Sequence, residues 1–221
     1  MIFYFMNGFM TNISKSRMIK KYLDDMYPDV ECELNFKNNL ELLIAVILSA
    51  QCKDEYVNRV TPKLFNKYKS IDDYANAKIS DIEIYIKSLG LYKSKSKNIK
   101  NMAIMLKKDF NNKIPNELDK LLLLPGVGRK TANVVLSVGF NIPAIAVDTH
   151  VERVSKRLGL ADKKDTVLQV EKKLNKIFPK NEWGKIHHQL IHFGRYKCKS
   201  INPKCDGCGL SKICTYNRSS K

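Results

Sequence analysis

Apolar residues recur at helical spacing along nearly the whole chain, and no stretch sustains the apolar–polar alternation of a half-buried strand. Ser16 to Met26 sets Ile19, Tyr22, Leu23 and Met26 on one face of a first helix. Asn38-Asn39-Leu40-Glu41 then supplies an N-cap with a carboxylate three residues on. The run that follows, to Ala50, is apolar on every side, so this helix is expected at the centre of the fold. Its length and its cap favour helix over a buried strand. Thr61-Pro62 reads as the opening of another helix carrying Leu64, Phe65 and Tyr68. Ser80 to Leu89 follows and stops at Gly90, and Ser94 to Phe110 follows that. A short helix lies between Pro115 and Leu124, ended by Pro125-Gly126. Helices are further expected over Gly128 to Val138, Thr149 to Leu158, Val167 to Phe178 and Trp183 to Phe193. The pattern predicts an all-α chain without repeats or low-complexity linkers.

Composition narrows what such a chain does. Its 221 residues suffice for one large helical domain or two small ones. The apolar fraction of 44% is ordinary for a globular protein. Lys and Arg outnumber Asp and Glu by 39 to 22, a formal charge of +17, which favours a polyanion such as nucleic acid as partner. An AT-rich genome also enriches Lys, Asn and Ile, so the charge leaves drift as an alternative. The longest apolar run, Leu42 to Leu48, is far short of the roughly 20 residues of a membrane span. Met1–Met10 is apolar but lacks a basic head and a cleavage site, and Met6 and Met10 are alternative starts. The expectation is a soluble cytoplasmic protein, associated with the nucleoid and monomeric, with residues 1–10 an unstructured extension.

Two constellations carry chemistry. Leu124-Pro125-Gly126-Val127-Gly128-Arg129-Lys130-Thr131-Ala132 joins two helices through a turn holding two glycines. Glycine accepts positive φ and lets another backbone come close. Unpaired amides at the start of the second helix can then receive a phosphate without reading base sequence. A P-loop is rejected, because Arg129 stands where that motif needs glycine before the lysine. A plain helical corner explains Pro-Gly but not Gly-Arg-Lys-Thr at the helix start. The second constellation is Cys198, Cys205, Cys208 and Cys214, spaced C-x6-C-x2-C-x5-C. In an intracellular chain this spacing favours a metal site over disulfides. Four thiolates suit tetrahedral zinc or a [4Fe–4S] cluster; only one C-x2-C pair is present, where a zinc ribbon shows two. Cys32 and Cys52 read as buried thiols, and His187, His188 and His192 as helix and core residues.

The hairpin together with Ile145-Ala146-Val147-Asp148-Thr149-His150, Leu48-Ser49-Ala50-Gln51 and Ile86-Lys87-Ser88-Leu89-Gly90-Leu91-Tyr92 resembles the endonuclease III family of base-excision DNA glycosylases. The resemblance extends from about Leu34 to Tyr216. It implies two helical lobes with a helix–hairpin–helix and a C-terminal iron–sulfur loop. Residues 32–142 would form a helical barrel, and 11–31 with 143–221 the second lobe, Lys130 and Asp148 meeting from either side of a cleft. It also implies that Lys130 is a nucleophile that attacks C1′ of a flipped-out nucleotide, and that Asp148 is the opposing acid. Gln51 and Leu91 would fill the gap in the duplex. Gly126, Gly128 and Arg129 would contact DNA, with His150 lining the pocket or serving as a structural histidine. The four cysteines would hold a [4Fe–4S] cluster that sets Lys199 and Lys204 against phosphates. Where the family often has a small residue after the glutamine, this chain has Cys52.

The lysine chemistry sets a condition. Attack requires a neutral amine, whereas free lysine titrates near about 10.4. A helix N-terminus contributes about 0.3–1 kcal/mol, less than one pKa unit at about 1.4 kcal/mol. Arg129 and a dry pocket have to supply the remainder. Asp148 reads alternatively as a helix-start carboxylate, with Thr149 and Glu152 at capping-box spacing. The expected activity is a bifunctional glycosylase and strand-cleaving lyase for oxidised pyrimidines in damaged double-stranded DNA. The alternatives are a monofunctional adenine glycosylase, disfavoured by Lys130 and by the chain stopping seven residues after Cys214, and a non-catalytic iron–sulfur redox or DNA-binding module.

Overall fold

A computed structural model describes residues 12–219, and the expected extension at residues 1–10 lies outside them. Among the described residues there are helices and loops but no strand. In chain order the α-helices are α1 (Asn12–Met26), α2 (Asn39–Leu48), α3 (Asp54–Lys67), α4 (Ile71–Asn76), α5 (Ile79–Ile86) and α6 (Tyr92–Asp109). Then come α7 (Leu118–Leu122), α8 (Arg129–Val134), α9 (Thr149–Leu158), α10 (Val167–Ile177), α11 (Trp183–His192) and α12 (Thr215–Ser219). After α8 and after α11 the helix widens to π-type turns, Val135–Gly139 and Phe193–Lys197. The chain divides into two compact units. One is Glu31–Ala146; the other joins the N-terminal segment up to Val30 with Val147 onward.

In the 31–146 unit α2 is the core. Every residue from Leu42 to Leu48 is buried, because α3, α6, α8 and the turn after α8 surround the helix. At about 1.5–3 kcal/mol for each large apolar side chain withdrawn from water, this run is a principal source of stability. The Asn38 side chain accepts the Glu41 amide at 3.0 Å, and Glu41 accepts the Lys37 amide at 2.7 Å. These bonds fix where the buried run starts.

Helix α3 corrects the expectation that Thr61-Pro62 opens a helix: it begins at Asp54, with Pro62 in its interior. An interior proline costs about 3 kcal/mol. The buried stripe Val57, Thr61 and Leu64, spaced four and three apart, offsets that cost by packing. Helix α4 was not predicted. Its six residues are started by a capping box in which the Asp73 amide donates to Ser70 Oγ at 3.1 Å and Asp73 accepts the Ser70 amide at 2.9 Å.

In the other unit α1 packs on α10 and α11, and α9 packs on α10, α11 and α12. Ile19 and Leu23 are buried on α1, while Met26, expected on the same face, is exposed. A polar latch holds α1 to α11: Gln189 Nε2 donates to Asp24 Oδ1 at 3.0 Å and to the Tyr27 carbonyl at 3.1 Å.

Candidate active site

Lys130 is half-buried one residue inside α8, whose N-cap is Gly128. The two glycines of the hairpin do different things. Gly126 has φ +80°, and a Cβ there would lie 2.9 Å from Asn98 Cβ on α6, so both backbone and packing require glycine. Gly128 has φ −92°, and a Cβ there would meet nothing within 4 Å. No side chain of the N-cap residue Gly128 caps α8. Arg129, exposed, precedes Lys130. Behind the hairpin, Asn133 Nδ2 donates to the Ile145 carbonyl at 3.0 Å, tying α8 to the segment that leads towards Asp148.

Asp148 is itself the N-cap of α9, in place of the box expected from Thr149. A single oxygen, Oδ1, accepts the amides of His150 at 2.9 Å and Val151 at 2.8 Å. The carboxylate is therefore fixed in orientation, and its second oxygen takes no part in the cap. His150 Nδ1 lies 3.2 Å from Arg153 Nη2, which also donates to the Gly194 carbonyl at 2.8 Å. Burial pushes the His150 imidazole below its usual range; Asp148 opposes that, and the Arg153 and Arg195 cations reinforce it.

Gln51 and Leu91 share an unusual backbone. Both are exposed, and both have positive φ, 53° and 60°. Among the described residues the other non-glycine positions with positive φ are all asparagines, which tolerate it. A glutamine and a leucine held there store strain, a feature that clusters where side chains are aimed at a ligand.

The cysteines sit together. Cys198, Cys205, Cys208 and Cys214 all line one small cavity, together with the buried Leu158 and Phe193. Burial and the charges of the other three thiols push the Cys205 thiol up, and the Arg157 cation opposes them. Two arginines of α9, absent from the sequence-derived site, hold this loop. Arg157 donates to the Lys199 carbonyl at 2.6 Å, the Ser200 carbonyl at 3.0 Å and Cys198 Sγ at 3.5 Å. Arg153 donates to the Cys198 carbonyl at 3.2 Å. Their spacing of five and nine residues after Asp148 on an amphipathic helix was the available signal. Lys199 and Lys204 are exposed on the same loop. Cys32 and Cys52 are partly buried rather than fully so, and His187 is buried. Among the described residues no three His, Cys, Asp or Glu side chains close round a single metal ion.

These features define a helical DNA-repair fold built around a glycine hairpin. Residues 44–180 match the HhH-GPD superfamily of base excision DNA repair proteins, and the chain belongs to that family. It is a base-excision DNA glycosylase. It is 51% identical over 205 residues to the Endonuclease III of Bacillus subtilis (strain 168), covering 93% of this chain and 94% of that one. It is 42% identical over 205 residues to the Endonuclease III of Escherichia coli (strain K12), covering 93% and 97%. A solved structure of a trapped Endonuclease III–DNA covalent intermediate superposes with TM-score 0.90 at 50% identity, covering 93% of this chain and 98% of that one.

Proposed function

We propose that this chain is a bifunctional DNA glycosylase and abasic-site lyase for oxidised pyrimidines in duplex DNA, with Lys130 as its nucleophile. The observation that carries the reading is the placement of Lys130 directly behind the uncapped, glycine-faced start of α8. A strand whose phosphate docks on those amides presents its sugar to the amine. The relative at 50% identity forms a covalent intermediate with DNA, as a lysine nucleophile would. In the reaction the Lys130 amine bonds to C1′ as the bond from C1′ to the base breaks, and the base leaves with a proton. Loss of the amine proton and ring opening give an imine. Removal of a proton from C2′ then expels the 3′ phosphate and cuts the strand.

Asp148 stabilises the positive charge that grows on the sugar. Its capping bonds hold the carboxylate still, so no reorganisation accompanies that charge. Gln51 and Leu91 enter the duplex and replace the extruded nucleotide in the stack. Gly126, Gly128, Arg129, Lys199 and Lys204 contact the DNA backbone, and His150 lines the approach to the site. Cys198, Cys205, Cys208 and Cys214 would hold a [4Fe–4S] cluster, which would supply a rigid support for the lysine-bearing loop.

The test is borohydride trapping with a thymine glycol duplex. Wild type is expected to yield a covalent protein–DNA adduct, and Lys130→Ala none. An adduct undiminished in Lys130→Ala would remove Lys130 from its role.

A further inference from the structure

Helix α6 carries a core stripe at Ile99, Met102, Ala103 and Leu106, all fully buried. One turn earlier the same stripe is occupied by Lys95, which is only 3% exposed. Its Nζ has no hydrogen-bond partner and no exposed surface. Among the described residues it is the one buried lysine or arginine. An apolar residue would pack there without that cost, so packing does not explain a lysine at this position. Burial pushes its ammonium below the ordinary lysine range, and the Cys52 thiol opposes that.

The surroundings explain what packing does not. The Lys95 amide donates to the carbonyl of Leu91 at 3.0 Å, so the residue stands one turn beyond that strained position. Cys52, the group that interacts with its ammonium, directly follows Gln51, the other strained position. Local main-chain bonds shape the Gln51 turn, Ala50 to the Ile47 carbonyl at 3.4 Å and Cys52 to the Ser49 carbonyl at 3.1 Å. A buried lysine whose Nζ has no hydrogen-bond partner therefore stands one helical turn after Leu91 and within electrostatic reach of Cys52.

We propose that Lys95 is a positioning residue for DNA insertion, whose buried Nζ donates to the backbone of the Gln51 and Leu91 turns when these close on the duplex. This rests on the reading that Gln51 and Leu91 enter the DNA. In the free protein the donors wait unpaired; in the complex they pair and hold both turns against the push of the base stack. Lys95 touches no reacting atom. Its effect is confined to steps that need the two turns.

The test compares wild type with Lys95→Met and Lys95→Leu, which keep the volume of the stem and remove the donors. Thermal denaturation should show midpoints equal to or above wild type, since a buried unpaired amine is gone. Fluorescence of 2-aminopurine next to the lesion reads nucleotide extrusion. In duplex DNA its rise should weaken about tenfold in both variants, the size of coupling usual between packed neighbours. Cleavage of an abasic site in a single-stranded oligonucleotide, which needs no insertion, should change less than about twofold. Duplex extrusion equal to wild type would overturn the proposal. An equal fall on single and double strands would also overturn it, by placing Lys95 in the chemistry. Leu91→Ala is the control: if it leaves the duplex fluorescence unchanged, the insertion reading fails, and this proposal fails with it.

Discussion

At the scale of single residues, the side chains with the most specific chemistry are those whose backbone or burial departs from the ordinary. Asp148 serves as a helix cap and as the proposed acid, and two substitutions separate the roles. Asparagine caps as well as aspartate, so Asp148→Asn should keep the denaturation midpoint while turnover falls about 10²–10⁴-fold. Asp148→Ala should lose the turnover and in addition about 1 kcal/mol of stability. Equal turnover in wild type and Asp148→Asn would leave Asp148 only its capping role. Leu91 makes the opposite demand. It is exposed and strained, so Leu91→Gly should hold or raise the midpoint by up to about 1 kcal/mol, measured by denaturant titration, while excision from duplex DNA falls. The candidates Gln51 and Leu91 were legible as residue types in a familiar order. Their positive φ was not, because that angle is imposed by the turns they sit in.

At the scale of elements, stability rests on starts, stops and latches. The Gly126 turn brings its backbone against Asn98, so Gly126→Ala should cost about 1–3 kcal/mol, seen as a lower midpoint. Gly128→Ala, at ordinary φ with open space before it, should fold normally and weaken DNA binding. The latch between α1 and α11 titrates. Burial would raise the Asp24 carboxyl, but hydrogen bonds from Lys20, Gln189 and Lys185 outweigh it and hold the pKa at about 2. A depressed carboxylate stabilises the fold above its unfolded pKa of about 3.9 and loses that contribution as pH falls through its folded value. Stability should therefore decline from about pH 4 towards pH 2, and Asp24→Asn should flatten that decline; an unchanged slope would assign it to other carboxylates. The latch group is partly exposed, so its contribution is at most about 2 kcal/mol. Most helices were readable from their periodicity. The start of α3 was not, because proline marks a first turn only when nothing upstream buries a competing stripe.

At the scale of the whole molecule, charge and the cysteine centre set the expectations. With +17 spread over 221 residues, DNA affinity should fall linearly in log–log form as salt rises. A flat response, measured by anisotropy, would return the charge to genomic composition. The purified protein should be brown, with broad absorption near about 410 nm from thiolate-bound iron. Cys205→Ser should bleach it, whereas a colourless zinc-loaded wild type would exclude the cluster. Among the described residues no helix is long and apolar enough to cross a membrane.

Taken alone, the sequence settles what local rules govern. Helical periodicity, the Asn38 cap, the glycine hairpin before Lys130 and the grouped cysteines all follow from spacing along the chain. The tertiary structure decides what depends on neighbours distant in sequence. It shows Gly126 wedged against Asn98, Asp148 turned onto its own helix, and Arg153 and Arg157 clamping the cysteine loop. It also leaves Lys95 without a partner on a face built for apolar side chains. Spacing predicts a helix through position 95; only packing shows that its Nζ is buried without a hydrogen-bond partner.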